Sequence, residues 1–444
     1  MRLKISVLVA CLIALCSRAL SSDTATFRAD ARHTGVYASD SGLRLPHVKW
    51  KFHTNGYVIS SPAVVGNLVY VGSTDGSLYA LDRLTGALRW KFVTRGRVSS
   101  SPAVSNGLVY FCSYDGNLYA LDTANGKLRW KFQTLGERRF EAKHLHGSQP
   151  ASETMPDPFD VYLSSPAVSR GQVFFGSGDG NVYALSALSG ALRWRFKTHD
   201  VVHASPAVDD GTVFIGSWDS YFYAIDAATG RERWRFKTGE DPDIHNQVGI
   251  QSSAAVAGGT VYFGCRDSHL YALDAGSGRL RWSFPTHGSW VVASPAVRGS
   301  RVYFATSDSS LLYAVRSKTG EVIFSRSFNG WPIFSSPAIA GHMLYVGSSA
   351  GTLTAVDLDK QGVAWTFQTD GSKLNARTYT KRDGSPNYER AYRSDFYDDM
   401  VVGHYKMMTV GAILTSPVIA DRIVYVGSTD GNLYALSDDK KGSL

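Results

Sequence analysis

Residues 68–82 read Leu-Val-Tyr-Val-Gly-Ser-Thr-Asp-Gly-Ser-Leu-Tyr-Ala-Leu-Asp, from Leu68 through the pair Asp75-Gly76 to Asp82. The apolar residues are β-branched or aromatic, come in runs of four to six and are cut by Gly, Asn and Asp, which spells strands rather than a helix. The Asp-Gly pair is expected to supply the positive φ angles of a tight hairpin, so the two runs pair antiparallel. A Ser-Pro-Ala-Val tag precedes this stretch at Pro62, and Leu88-Arg-Trp-Lys-Phe92 follows it. Tag, hairpin and tryptophan strand together make a unit of four short strands.

The unit recurs with a period of about 40 residues, the mark of a repeat architecture. Tags stand at Pro62, Pro102, Pro166, Pro206, Ala254, Pro295, Pro337 and Pro417, and turns at Asp75, Asp115, Asp179, Asp219, Asp267, Asp308, Ala350 and Asp430. Eight tags and eight turns predict an all-β fold, an eight-bladed β-propeller of four-stranded antiparallel blades around a central channel. A linear β-solenoid is the runner-up, but its repeats are shorter and need capping ends. The tryptophan strand occurs at Trp50, Trp90, Trp130, Trp194, Trp234, Trp282, Phe324 and Trp365, so one copy precedes the first tag and none follows Leu436. The N-terminal strand is therefore expected to complete the last blade.

The pattern Ala80-x-Asp82-x-x-x-Gly86-x-x-x-Trp90 resembles the tryptophan-docking motif of propellers of the pyrroloquinoline quinone (PQQ) type, and it recurs in full at Trp130, Trp234 and Trp282. Ser186, Arg316 and Ser437 replace the aspartate elsewhere, and the seventh copy shifts its glycine to Gly362. The resemblance covers nearly all of the chain after residue 44. It implies that the tryptophans pack between neighbouring blades and are structural. It does not imply PQQ, because the family includes quinoprotein dehydrogenases and non-catalytic scaffolds similar to BamB, and function resides in sites grafted on a fold.

A chain of 444 residues with 44% hydrophobic content has ample core for one ring of blades, placed here at residues 44–439 with no second domain. Arg2 and Lys4 followed by the apolar stretch Ile5 to Leu15 read as an export signal over residues 1–21, too short for a transmembrane span. Leu8-Val9-Ala10-Cys11 resembles a lipoprotein box, but the apolar stretch before it is very short, and lipid anchoring is the weaker reading. The protein is expected to be periplasmic or secreted. Without the signal two cysteines remain, Cys112 and Cys265, on blades too far apart for a disulfide, so both are expected to be buried thiols. Quinoprotein alcohol dehydrogenases carry two adjacent cysteines over the cofactor, and this chain has no such pair. The net charge of +8 comes largely from the Arg and Lys of the outer strands, one or two per blade. It reads as protection of the sheet edges rather than a nucleic-acid surface.

Function is expected where the repeat breaks. Trp90 to Pro102 takes 12 residues, whereas Trp130 to Pro166 takes 36, Trp234 to Ala254 takes 20 and Trp365 to Pro417 takes 52. These insertions, at about 135–160, 239–249 and 370–411, join the fourth strand of one blade to the first of the next and fall on one face. The other face is expected to be plain. Three tryptophans outside the docking motif, Trp218, Trp290 and Trp331, map to the same elaborate face and suggest a stacking surface for a planar or sugar-like ligand. Three residues before the tag proline the innermost position reads Ile59, Ser99, Leu163, His203, Gln251, Val292, Phe334 and Leu414, where His203 and Gln251 stand out. The hairpin position beside the aspartate carries Trp218 and Arg266 on those same two blades. With His245 and Asn246 of the second insertion, these residues form the candidate site: His203, Trp218, His245, Asn246, Gln251, Arg266, Trp290 and Trp331. Any one channel histidine on its own reads more simply as a satisfied structural group.

His144-Leu145-His146 would place two imidazoles on one side of an extended segment, a weak metal half-site. The Tyr- and Arg-rich third insertion suits a lid over the channel or a protein contact. Three functions follow. The first is an exported propeller that binds a small-molecule ligand or an exported protein partner on the insertion face, with no nucleic acid. The second is a small PQQ-dependent dehydrogenase oxidising an alcohol or sugar, with Ca²⁺ held by groups such as Glu240, Asp241, Asp243 and Asn246. The third is a BamB-like outer-membrane assembly scaffold.

Overall fold

The computed structural model describes residues 25–38, 43–239 and 248–438. Residues 1–21, read from the sequence as an export signal, and the greater part of the second insertion, including His245 and Asn246, lie outside the described residues. Eight four-stranded sheets ring a channel. The first is formed by Ala63–Val65, Leu68–Gly72, Ser77–Asp82 and Leu88–Val93 in antiparallel order, and the other blades repeat it. The last blade takes its outer strand from the N-terminus, His47–His53 pairing antiparallel with Asn432–Ser437. Closure is as the strand count requires.

Each element of the repeated sentence has a physical task. The serine before each tag proline joins adjacent blades: the hydroxyls of Ser101, Ser165, Ser205, Ser253, Ser294, Ser336 and Ser61 accept the N–H of the corresponding serine in the neighbouring blade at 2.8 to 3.1 Å. In the hairpin only Gly76 is left-handed (φ +90°), which corrects the expectation that both residues of the pair have positive φ. Asp75 instead holds the loop with its carboxylate, accepting from Ser77 N–H at 2.9 Å and the Tyr79 hydroxyl at 2.6 Å. The indole N–H of Trp50, Trp90, Trp130, Trp194, Trp234 and Trp282 donates to a carbonyl of the next blade at 2.9 to 3.1 Å. The same rings lie flat against that blade's glycine: a Cβ on Gly126 would come within 2.6 Å of Trp90. In the seventh blade Gln361, not Gly362, takes the left-handed place (φ +54°). Trp365 donates to Leu43 O at 2.6 Å.

Cys112 and Cys265 are buried free thiols, as expected. The outer strands expose their charges, as in Leu88–Val93, where Arg89 and Lys91 face water. The face without insertions is not plain. Residues 25–37 cross it and close that end of the channel. Val104, Val208, Val256, Val297 and Ile339, the tag positions of five blades, donate N–H groups to Ala25, Ala31, Arg32, Thr34 and Gly35. Val36–Tyr37 then adds a fifth, parallel strand inside the seventh blade. Arg28, 1% exposed, donates to Pro295 O at 2.8 Å and Pro337 O at 2.5 Å, and burial lowers its pKa to about 10.

Candidate binding site

The eight innermost positions all line the channel, together with Phe27 from the segment that closes it below. At the opposite end the first insertion descends onto them. Its short hairpin, Glu141–Lys143 with Thr154–Pro156, leads into Asp157, Phe159 and Asp160, and both carboxylates are fully buried. His203 meets two acids of this insertion: Nδ1 lies 2.7 Å from Asp160 and Nε2 lies 2.8 Å from Glu137. Burial opposes a charged ring, but Asp160 and Glu137 outweigh it and raise the His203 pKa to about 10. The ring is an imidazolium at neutral pH, donating through both nitrogens.

Arg266 is the second anchor. Its guanidinium pairs with Asp157 and donates to Gln251 Oε1 at 2.8 and 3.2 Å, while Gln251 Nε2 donates to Phe159 O at 3.1 Å. The faces of Trp218 and Trp290 enclose it at 4.4 Å each, and Trp218 stacks on Phe140 at 4.3 Å. Burial pushes the Asp157 carboxyl up, but Arg266 and then His146 overcome it and hold Asp157 well below the usual carboxylate range. The structure thus brings five of the sequence-predicted residues into one region and gives His203, Trp218, Gln251 and Arg266 partners within the protein. Their departure from the repeat is matched by an insertion that needs them.

His144 and His146 do not lie along an extended segment. Both have left-handed φ (53° and 55°) around a 3₁₀ turn at Leu145–Gly147, which sends His144 Nδ1 to Ser148 O and His146 Nε2 to Asp157. The proposed metal half-site is therefore not formed. No group of three or more His, Cys, Asp or Glu that could hold a metal occurs among the described residues.

The third insertion builds three helices, α1 (Asp370–Tyr379), α2 (Tyr388–Ala391) and α3 (Tyr397–Met408). Thr369 caps α1 by accepting Ser372 N–H at 3.1 Å. Trp331 fastens the insertion by donating to Gly384 O at 2.9 Å, and Tyr397 fastens it to the first insertion through Pro156 O at 2.7 Å. Between helices and blades lies a cavity of about 450 Å³, walled mainly by Trp290, Trp331, Phe159, Phe334, Tyr392 and Met407. His404 also faces it, edge-on to Phe159 at 4.7 Å and without a hydrogen bond to its ring among the described residues. Burial lowers the His404 pKa to about 4, so the imidazole is neutral and offers one donor and one acceptor. Sequence reasoning placed two tryptophans of this cavity, noted His404 only as one titratable group of the third insertion, and missed Phe159 and the methionines. The only advance signal was the composition of the insertions that carry them.

A family model described as outer membrane protein assembly factor BamB matches residues 32–157, 148–289 and 266–394. The chain belongs to the PQQ-repeat β-propeller family. Among solved structures, BamB from Moraxella catarrhalis is 17% identical, with 88% of this chain and 98% of that one covered and a TM-score of 0.62. A europium-containing methanol dehydrogenase is 14% identical over 92% of this chain and 96% of that one, with a TM-score of 0.66. The quinohemoprotein alcohol dehydrogenase ADHIIG from Pseudomonas putida HK5 is also 14% identical, covering 96% and 81%, with a TM-score of 0.66. At these identities the likeness is one of fold. Comparison with curated proteins gives no match.

Membership in the PQQ-repeat family raises the question whether the residues fit that cofactor. PQQ is a flat tricarboxylate and needs an aromatic slot with cations beside it. The aromatic cavity has no Arg or Lys in its lining and presents Asp308 and Asp395 instead. The nearby Arg266 is already paired with Asp157 and closed in by two indoles. In the aromatic cavity slot and cations do not coincide, and that cavity does not fit PQQ.

Proposed function

We propose that this PQQ-repeat propeller is an exported binding protein that takes a small, flat, largely apolar ligand in the cavity beneath the third insertion. The observation that carries the reading is a roofed aromatic cavity of about 450 Å³ holding a buried, neutral imidazole whose ring makes no hydrogen bond among the described residues. A cavity of this size and lining suits a small molecule, whose aromatic body packs on Trp290 and Phe159 while His404 fixes its orientation. Titration with indole, followed by tryptophan fluorescence, tests it. Saturable quenching that His404→Ala weakens at least tenfold is the expected result. Quenching that is linear in indole, or a variant that binds like the parent, overturns the reading.

A second reading, contact with an exported protein, is favoured by the outer side of the same insertion. Leu374, Phe396 and Val402 are 79%, 58% and 48% exposed there. Membership in a family described as an assembly factor supports it. No helix among the described residues is long and apolar enough to cross a membrane.

A further inference from the structure

Outside the aromatic cavity, a cleft of about 670 Å³ opens on the insertion face, lined by Arg95, Arg97, Arg138 and Arg139. It continues into an inner lobe of about 340 Å³, since Thr74, Arg97, Arg139 and Tyr405 line both. The lobe ends on apolar groups, Ile59, Pro158, Val161, Met408 and Leu414. His404 and Met408 of α3 line this lobe and the aromatic cavity alike, so α3 is the wall between them.

The acids at the cleft are already occupied. Asp75 accepts from the Tyr79 hydroxyl and the N–H groups of Asn55 and Ser77. Glu137 is held by His203 and by Gly178 N–H. Arg138 pairs with Asp200 at 2.7 Å. Among the described residues no carboxylate lies within ion-pair distance of Arg95, Arg97 or Arg139. Arg139 stands by the phenols of Tyr114 and Tyr405, and Asp160, whose charge it feels, is paired with His203. Three guanidinium groups, none in an ion pair among the described residues, outnumber the Asp75 carboxylate around one concavity, and the net positive field draws in anions. Guanidinium also matches a carboxylate with two parallel hydrogen bonds.

We propose that this cleft binds a small organic carboxylate, its head between Arg97 and Arg139 and its apolar body in the inner lobe. The head belongs there because these two arginines are shared by both compartments. An apolar body follows from the lobe's end, which an inorganic ion would leave unfilled. The site is separate from the aromatic cavity and does not depend on the reading given for it.

Isothermal titration of the full chain with octanoate, 1-octanol and inorganic phosphate tests the assignment. Octanoate should bind saturably and more weakly as salt is raised, with 1-octanol at least tenfold weaker and phosphate unable to displace octanoate at equal concentration. Arg97→Gln should weaken octanoate at least tenfold; Arg97 is exposed, so the fold survives its loss. Saturating indole should leave octanoate binding unchanged. The proposal is overturned if octanoate does not saturate, if R97Q binds like the parent, or if phosphate competes equally. Displacement of octanoate by saturating indole would move the acid into the aromatic cavity, which overturns the arginine site and leaves the ligand reading standing.

Discussion

Replacing Arg266 by leucine separates an anchoring role from a ligand-binding one. The side chains of Arg266 and Asp157 are 2% and 0% exposed, so the substitution leaves a carboxylate buried with its main cation gone. Breaking a buried pair in this way costs about 3–5 kcal/mol, because the orphaned charge cannot regain its hydration. An unfolding entropy of about 2.1 cal/mol/K per residue over ~400 residues gives roughly 0.8 kcal/mol/K, so the melting temperature should fall by about 5 °C. The fall should be partly reversed in Arg266→Leu/Asp157→Asn, where the charge is removed and Phe159 N–H still finds an acceptor at position 157. Circular dichroism melts measure the shift, and limited proteolysis reports whether residues 135–160 become the first segment cleaved. A single variant melting within 1 °C of the parent, with no faster cleavage, would refute the anchoring role. A double variant that falls further than the single one would refute the orphaned-charge argument.

Deleting residues 44–54 should destabilise the entire ring, since it removes the outer strand of the last blade and Trp50 with its bond to Arg83 O; an unchanged melting temperature would rule out this mode of closure. Truncation after Asp438 should cost little, whereas losing Asp438 removes the acceptor of the Arg44 and Leu45 N–H groups. His33 is fully buried and its pKa is lowered by burial to about 4, so the unfolded chain binds the extra proton first as pH falls. Its contribution is complete above pH 6.5 and is lost toward pH 4, on the order of 3 kcal/mol. His33→Phe should therefore show a smaller loss of stability than the parent between those values, and parallel pH profiles would discount the effect.

The ring was legible because its determinants are local and repeated. A hairpin glycine, a tag serine and a docking tryptophan each act within one blade or on the next, and eight copies make the pattern unmistakable. What escaped was non-local. The crossing of residues 25–37 beneath the channel carries no repeat signature, and its backbone bonds reach blades whose tags lie 79 to 304 residues away in sequence. The hairpin prediction failed in detail for a different reason. An Asp-Gly pair fits two turn geometries, and the choice was made by the Asp75 carboxylate reaching Tyr79, four residues on.

For the candidate site, departures from the repeat located a region but not the partners within it. His203, Trp218, Gln251 and Arg266 were singled out because a blade does not need them, and that logic holds, since what needs them is the first insertion. A cation substituted into a neutral channel requires a counter-charge, and Glu137, Asp157 and Asp160 supply it from a segment that no repeat constrains. Once paired, these charges are saturated and rigid, suited to holding a loop and poorly suited to receiving a ligand. Among the described residues, the groups left with capacity include the His404 imidazole, the Arg97 guanidinium, and the Arg139 guanidinium, whose partners are the phenols of Tyr114 and Tyr405 rather than a carboxylate. An unmatched charged residue in a repeat therefore marks either an anchor or a site, and whether its charge is already paired distinguishes the two.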